Sequence, residues 1–183
     1  MAAGRRALAV PDSVLVVGVA GPTRSGKGTV ARALRGEFPG PPVLSQDKYF
    51  KGQGETPDCI DWRTLLKELK KLIDAAARDA QGKRSARRVV ILEGFLLFSR
   101  EEVVSCCGLR LFLQLDRETC RRRRQESKAV GLTGAAFDRN FDRTIWRAFE
   151  EHGNFAGAEG VVALDGTQPP DAIAAAALSC VRA

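Results

Sequence analysis

The chain has 183 residues and a formal net charge of +7, a length that suits one domain with a substantial core and is short for two. The positive charge is compatible with an anionic partner such as a nucleotide, a nucleic acid or a membrane surface. The five cysteines are odd in number and form no CxxC pair. This argues against a disulfide framework or a zinc site and indicates a reducing compartment, so we expect a cytoplasmic protein. The single histidine rules out a histidine-based metal cage.

The start of the chain and its apolar runs exclude two further classes. The segment from Met1 to Pro11 is short and basic and lacks the apolar core of a signal peptide, so we expect a frayed terminus. No apolar run approaches the ~20 residues that cross a bilayer, and we therefore expect no membrane partner.

The most informative stretch begins with an apolar, β-branched run over residues 14–20, which predicts a strand buried on both faces. The chain then turns at Gly21, reaches Gly26-Lys27 and continues with apolar residues at helical spacing. A strand, a glycine loop, a lysine and a helix form the phosphate-binding loop pattern. Its backbone N–H groups and the helix start bind phosphate, and Lys27 can reach the terminal phosphates of a nucleotide. The predicted nucleotide-binding residues of this loop are Gly21, Pro22, Thr23, Arg24, Ser25, Gly26, Lys27, Gly28 and Thr29.

One position departs from the usual loop pattern. Gly28 stands where a serine or threonine normally ligates magnesium, and Thr29 follows one residue late. The sequence therefore leaves open how magnesium is held, and the predicted metal-site residues are Asp47, Glu93 and Thr29.

Strand and helix patterns alternate along the rest of the chain. Further strands are predicted at 43–46, 89–92, 109–115 and 161–164. Further helices are predicted at about 61–80, after a cap at Asp116, at about 137–152 and at 172–181. Loops are predicted at 39–42, 48–58, 81–88 (a basic surface loop) and 130–134. Such alternation predicts an α/β fold with a parallel sheet and helices on both faces.

Five residues directly follow the predicted strands: Gly21, Asp47, Glu93, Asp116 and Asp165. Ligands of such sheets bind outside the carboxyl ends of the strands, so we expect all five near one edge, over the phosphate loop. Asp47 there can accept a proton from a hydroxyl that attacks a γ-phosphoryl group, or hold a magnesium-bound water. Glu93 can partner magnesium or a lysine. The alternatives are a strand-end turn for Asp47 and a solvated strand end for Glu93.

Four consecutive arginines, 121–124, follow Arg117 on a predicted helix. Arg117, Arg121 and Arg124 share one helical face, and packed like charges call for an anion. One interpretation is a lid that folds over a triphosphate. The alternatives are a solvated basic face and a nucleic-acid patch, which we do not expect because interleaved aromatic residues are lacking. The two tryptophans lie at helical spacing with apolar neighbours and are interpreted as core.

Five stretches together resemble the uridine kinase and nicotinamide riboside kinase group, and the nicotinamide riboside kinases most. They are Gly21 to Lys27, Ser45-Gln46-Asp47, Glu93 to Phe98, Cys120 to Arg124, and Leu164-Asp165-Gly166-Thr167. The resemblance implies a single domain over 1–183, of the P-loop NTPase type, with a five-stranded parallel sheet and an arginine-rich lid at about 116–134. It also implies MgATP as cofactor and phosphorylation of a ribose 5′-hydroxyl.

The resemblance also implies roles for individual residues. Asp47 is similar to the general base, Lys27 and its loop hold the phosphates, and Glu93 lies near the metal. Arg123 resembles a lid contact to ATP and Arg124 one to the substrate, while the 165–167 stretch resembles the loop beside the adenine.

The region that grips the nucleoside departs from this family. Gly54 and Glu55 stand where an aromatic residue and an aspartate are usual, and Glu55 can still hydrogen-bond ribose hydroxyls. Without the stacking aromatic, a base would lose roughly 1–3 kcal/mol, and Tyr49, Phe50 or Phe141 are the candidates to replace it. The predicted substrate-binding residues are Asp47, Lys48, Tyr49, Phe50, Glu55 and Arg124.

The preferred hypothesis is a ribonucleoside kinase that converts nicotinamide riboside to nicotinamide mononucleotide. Such a protein takes a small nucleoside substrate, and we expect a monomer or weak dimer. The alternatives are a uridine/cytidine-type kinase and a nucleoside monophosphate kinase. The negative charges of Asp47, Glu55 and Asp58 disfavour the anionic acceptor of a monophosphate kinase. A guanine-nucleotide switch would need an Asn-Lys-x-Asp stretch, and the sequence has none.

Overall fold

The strands form one five-stranded parallel sheet in the computed structural model, which describes residues 8–38, 40, 42–52, 54–81, 87–127 and 131–183. The sheet order is β2-β3-β1-β4-β5. The strands are β1 (Val14–Ala20), β2 (Leu44–Ser45), β3 (Arg88–Gly94), β4 (Leu109–Gln114) and β5 (Val161–Asp165). This is the α/β sheet that the sequence predicts.

The central strand β1 separates two apolar cores. All seven of its residues are buried, and successive side chains enter opposite cores, as the period of two in a strand requires. Val14 and Val16 belong to one core, and Leu15 and Val17 to the other. A strand buried on both faces fixes the loop that follows it, because neither face is free to move toward solvent.

Helices cover both faces of the sheet. They are α1 (Lys27–Glu37), α2 (Trp62–Gln81), α3 (Glu101–Cys106), α4 (Arg117–Gln125), α5 (Gly134–Asn140) and α6 (Pro170–Arg182). Helices α1 and α6 pack in one core through residues such as Leu34 and Ile173. Helix α2 packs in the other, and Trp146 is buried there while Trp62 packs against it, as the sequence indicates. None of the helices in the described ranges combines the length and apolar character that crossing a bilayer requires.

Several boundaries differ from the sequence prediction. Strand β2 is only two residues long, and 46–49 forms a 3-10 turn instead of continuing it. The Gln46 side chain is fully buried and accepts a hydrogen bond from the Leu96 N–H at 2.8 Å, which turns the backbone out of the strand. The helix predicted at about 137–152 begins earlier, at Gly134, the first residue of α5. It continues beyond α5 through wider π-helical turns to Gly153. Helix α3 has only six residues and shows too little periodicity to be predicted.

Parts of several sequence predictions fall outside the described residues. They are the frayed start (1–7), most of the basic loop (82–86), part of the lid (128–130), and residues 39, 41, 53 and 130 of the predicted loops 39–42, 48–58 and 130–134. The arginine-rich lid and the single-domain organisation stay predictions.

Asp116 caps helix α4, as the sequence predicts. Its Oδ1 accepts a hydrogen bond from the Thr119 N–H at 2.8 Å, and this bond lowers the pKa of the Asp116 carboxyl.

We expect Asp116→Ala to lower the free energy of unfolding by about 1 kcal/mol, and Asp116→Ser to retain most of the stability that the cap contributes. Because the pKa is lowered, the contribution is present above the unfolded pKa and is lost as the pH falls through the folded pKa. Urea unfolding at neutral and acid pH measures both effects, and equal stability of the alanine variant and the wild type would contradict them.

Candidate active site

A cleft of about 780 Å³ opens beside the loop that follows β1. Its lining combines backbone of the loop, cations, carboxylates and a few apolar side chains. The lining residues are Thr23, Arg24, Gly26, Lys27, Gly28, Thr29, Arg32, Asp47, Phe50, Gly52, Gly54, Glu55, Glu93, Phe95, Arg124 and Ile145. The cleft therefore unites the loop with the residues that end β2 and β3.

The loop between β1 and α1 has the backbone conformation that its glycines allow. Gly21 has φ 145° and Gly26 has φ 101°, values that L-residues with side chains rarely adopt. A Cβ on Gly21 would also lie only 2.6 Å from the Leu113 carbonyl oxygen. Gly26 is the N-cap of α1 and offers no side chain, so the first N–H groups of the helix are left for an anion.

Lys27, the first residue of α1, is the cation at the centre of this loop. Its Nζ donates to the Pro22 carbonyl oxygen at 2.8 Å, across the loop. Burial lowers the pKa of the Lys27 ammonium, and the nearby carboxylates of Glu93 and Asp47 oppose that shift. A buried ammonium with little solvation binds an entering phosphate strongly.

The two carboxylates lie on segments that are locked to each other. Gln46, next to Asp47, bonds to the Leu96 N–H, and its side chain packs on Gly94, next to Glu93. A Cβ on Gly94 would meet the Gln46 side chain at 2.5 Å. The Ser45-Gln46-Asp47 and Glu93-Gly94 motifs thus hold each other in place, which the sequence did not indicate.

Asp116 and Asp165, the other two strand-end acids, follow or end β4 and β5 at the same edge of the parallel sheet, but neither lines the cleft. Asp116 caps α4. The Asp165 carboxylate accepts from the Thr167 N–H at 2.9 Å, from the Thr167 hydroxyl and from Gln168. Both carboxylates are occupied by local bonds because a turn or a helix begins directly after them.

Two arginines of α4 reach the phosphate loop. Arg123 Nη1 donates to the Gly166 carbonyl oxygen at 3.0 Å and to the Arg24 carbonyl oxygen at 3.4 Å. Arg124 Nη1 donates to the Thr23 hydroxyl at 2.9 Å. Burial lowers the pKa of the Arg124 guanidinium, and its buried Nε has no hydrogen-bond partner in the described part of the chain.

The remaining arginines on the predicted basic face form ion pairs with the helix that follows. Arg117 pairs with Asp142 at 2.8 Å, and Arg121 pairs with Asp138. Acidic residues of the same chain therefore neutralise Arg117 and Arg121, while Arg124 lines the cleft.

The far half of the cleft combines an acid, an arginine and apolar surface. Glu55 is partly buried, and burial raises the pKa of its carboxyl, with Arg124 opposing and Asp47 reinforcing that shift. Phe50, Phe95 and Ile145 supply the apolar part. A carboxylate suits ribose hydroxyls, and the aromatic rings suit a base.

Among the three aromatic candidates for stacking, only Phe50 lines the cleft. Phe141 is fully buried in the core, and Tyr49 packs against that core. Lys48 is exposed and does not contribute to the lining either. Arg32, Phe95 and Ile145 also line the cleft and were not predicted as site residues. Only Phe95 had a signal, because it directly follows Glu93-Gly94.

Gly54 is a position where the structure accepts no side chain. A Cβ there would overlap the Cys59 sulfur, which occupies the space beside it. With Cys59 in this place, the aromatic side chain that is usual at this position in the family would not fit.

We expect Gly54→Tyr to destabilise the protein by about 1–3 kcal/mol through overpacking. Cys59→Ala in the same chain should restore part of that loss, and Cys59→Ala alone serves as the matched control. Chemical unfolding of the three variants gives the coupling. Unchanged stability of the tyrosine variant would show that the loop moves aside at no cost.

The residues present fit magnesium only in part. Asp47 and Glu93 are oxygen donors of the kind that hold Mg²⁺ together with nucleotide phosphates and waters. Within the described ranges, no group of three or more His, Cys, Asp or Glu residues could hold a metal ion by itself. Gly28 has no hydroxyl, and the Thr29 hydroxyl accepts a hydrogen bond from Arg32 at 3.2 Å, so its role as a magnesium ligand stays a prediction.

Solved structures share the five-stranded sheet and its helices. A gluconokinase from Sinorhizobium meliloti 1021 superimposes with a TM-score of 0.59 at 17% identity, over 97% of this chain and 94% of that one. A putative fructose transport system kinase from Silicibacter sp. TM1040 gives a TM-score of 0.61 at 19% identity, over 84% and 91%. These likenesses confirm the predicted fold.

Curated relatives confirm the resemblance drawn from the motifs. The chain is 28% identical to nicotinamide riboside kinase 2 of Mus musculus over 180 residues, 87% of this chain and 91% of that protein. It is 28% identical to nicotinamide riboside kinase 1 of Mus musculus, over 84% and 86%. A uridine kinase of Borrelia hermsii is 27% identical over 55% of this chain and 60% of that protein. No family model matches the chain.

Proposed function

We propose that the chain is an ATP-dependent kinase that phosphorylates the 5′-hydroxyl of a ribonucleoside, with nicotinamide riboside as the preferred substrate. The observation that carries the proposal is one cleft that the partly buried Lys27 side chain and the Asp47 carboxylate line together. Phosphate binding and activation of a hydroxyl need these two groups side by side. The curated relatives named nicotinamide riboside kinase support the substrate class.

The proposed mechanism uses the residues of the cleft for positioning and charge. Lys27 and the loop N–H groups bind the β- and γ-phosphates, and Arg123 joins the loop after β5 to the phosphate loop. Asp47 accepts the proton of the 5′-hydroxyl as its oxygen attacks the γ-phosphorus and ADP leaves. Magnesium, bound with the nucleotide near Asp47 and Glu93, would neutralise phosphate charge.

The acceptor half of the cleft favours an uncharged or cationic nucleoside. Asp47 and Glu55 contribute negative charge there, and Arg124 is the cation facing them. Nicotinamide riboside carries a positively charged pyridinium ring, so this field attracts it and disfavours a nucleoside monophosphate. Phe50 and Phe95 offer apolar surface for the ring. A uridine/cytidine-type kinase is the second candidate, supported by the relatives named uridine kinase.

A panel of acceptors tests the proposal. Nicotinamide riboside, uridine, cytidine, AMP, CMP and UMP are each supplied with MgATP, and ADP release is measured. We expect nicotinamide riboside to give the highest kcat/KM and the monophosphates to give none above background ATP hydrolysis. A monophosphate that outperforms every nucleoside would contradict the proposal.

We further propose that the protein acts in the cytoplasm, as a monomer or weak dimer and without a nucleic-acid partner. All five cysteines are free in the structure, which suits a reducing compartment. The ion pairs of Arg117 and Arg121 leave less free positive charge on α4 for a nucleic acid.

A further inference from the structure

The start of α1 lacks the hydroxyl that normally completes a phosphate loop, and sterics do not explain the loss. Gly28 has a backbone that any residue adopts. A Cβ there would have Arg32 Nη1 as its nearest neighbour, at 3.5 Å, an ordinary contact distance. A serine would therefore fit at this position.

The Arg32 side chain lies beside Gly28, the position where the hydroxyl is missing. Its Nη2 donates to the Thr29 hydroxyl at 3.2 Å, and its Nη1 lies beside Gly28. The side chain lines the cleft together with Lys27 and Gly28. The Thr29 hydroxyl, which directly follows Gly28, is thus hydrogen-bonded to a cation, and a cation there repels a second one such as a metal ion.

The guanidinium of Arg32 is available to an anion. Arg32 is exposed, and it forms no ion pair with the carboxylates in the described part of the chain. Arg117, Arg121 and Arg182, by contrast, are each paired with an acid. A planar guanidinium at the mouth of a phosphate loop has the geometry for bidentate phosphate binding.

We propose that Arg32 is a nucleotide-binding residue that contacts the phosphates of ATP directly. It supplies the positive charge that a hydroxyl-ligated metal supplies at this place in the usual pattern. The nucleotide is therefore held to the loop by Lys27 and Arg32 with no loop hydroxyl on the metal. ATP binding in this protein depends less on a divalent cation as a result. The proposal rests on the proposed function, because it takes ATP as the ligand of this cleft.

Calorimetric titration with ATP, in buffer containing EDTA and in buffer containing Mg²⁺, tests the proposal without turnover. We expect the wild type to bind ATP in both buffers and Arg32→Gln to raise the Kd in EDTA about tenfold. Arg32→Lys keeps the charge but loses the two parallel donors of the guanidinium, and should recover only part of the affinity. Arg35→Gln is the matched control on the same helix, because Arg35 does not line the cleft.

A second experiment introduces a hydroxyl at position 28. Gly28→Ser in the Arg32→Gln chain should recover affinity in Mg²⁺ and leave the EDTA value weak. Unchanged ATP affinity of Arg32→Gln in EDTA, or equal recovery by serine in both buffers, would overturn the role of Arg32. A wild type that binds no ATP in either buffer would instead overturn the proposed function, so the two failures are distinguishable.

Discussion

Replacing Asp47 with asparagine is expected to lower kcat by about 10²–10⁴-fold, the range for loss of a general base. The side chain keeps its shape but no longer accepts the proton of the attacking hydroxyl. ATP affinity should stay close to the wild-type value, because the phosphates are held by the loop and Lys27. Steady-state kinetics and ATP titration of the same preparation measure the two quantities separately.

Asp58→Asn is the matched control for this experiment. Asp58 lies in the same region of the chain, is exposed and does not line the cleft, so its variant should have wild-type kinetics. Retained turnover in Asp47→Asn would remove Asp47 from the role of base. A large loss of ATP affinity would indicate that Asp47 acts through the metal or the nucleotide instead.

Lys27→Ala is expected to lower kcat/KM for ATP by about 10²–10³-fold, the cost of losing one preorganised charge in a catalytic site. The ammonium is buried, bonds across the loop to Pro22 and lies near Glu93 and Asp47. Its removal leaves those carboxylates without their cation and the phosphates without a point charge. Kinetics at varied ATP with saturating acceptor measure the loss, and an unchanged kcat/KM would contradict the account.

Burial lowers the pKa of the Lys27 ammonium in the free protein. The pH dependence of ATP binding should therefore differ between the wild type and Lys27→Ala. As the pH rises through the lowered pKa, the ammonium loses its proton and ATP binding by the wild type weakens. Lys27→Ala should lack this alkaline loss. Lys67→Ala is the control, because Lys67 is exposed on α2 outside the cleft. The same alkaline profile in Lys27→Ala and the wild type would assign the titration to another group.

The sheet was predictable from sequence because its strands are continuous apolar runs. The β1 run, buried over all seven residues, and the glycine loop after it leave little conformational choice. Asp47 and Glu93 could be assigned to one edge because parallel strands end on the same side of a sheet. These inferences depend only on local pattern and topology.

The rest of the site depends on contacts between distant parts of the chain. The bond between Gln46 and the Leu96 N–H spans 50 residues, and it both shortens β2 and positions Asp47. Arg121 forms an ion pair with Asp138 on the next helix, and the residue spacing within one helix cannot predict such a pair. From the sequence, Arg32 is an ordinary surface residue of α1. Only the structure shows that its guanidinium lies beside Gly28 and Thr29.

Product analysis by phosphorus and proton NMR tests the central claim most directly. The protein is incubated with nicotinamide riboside and ATP labelled in the γ-phosphate, and the position of the transferred phosphoryl group is read from its coupling to the ribose protons. We expect nicotinamide mononucleotide with the label on the 5′-oxygen, formed by the wild type and at least about 100-fold more slowly by Asp47→Asn. Label that appears only as inorganic phosphate, or on a nucleoside monophosphate supplied in its place, would contradict the account.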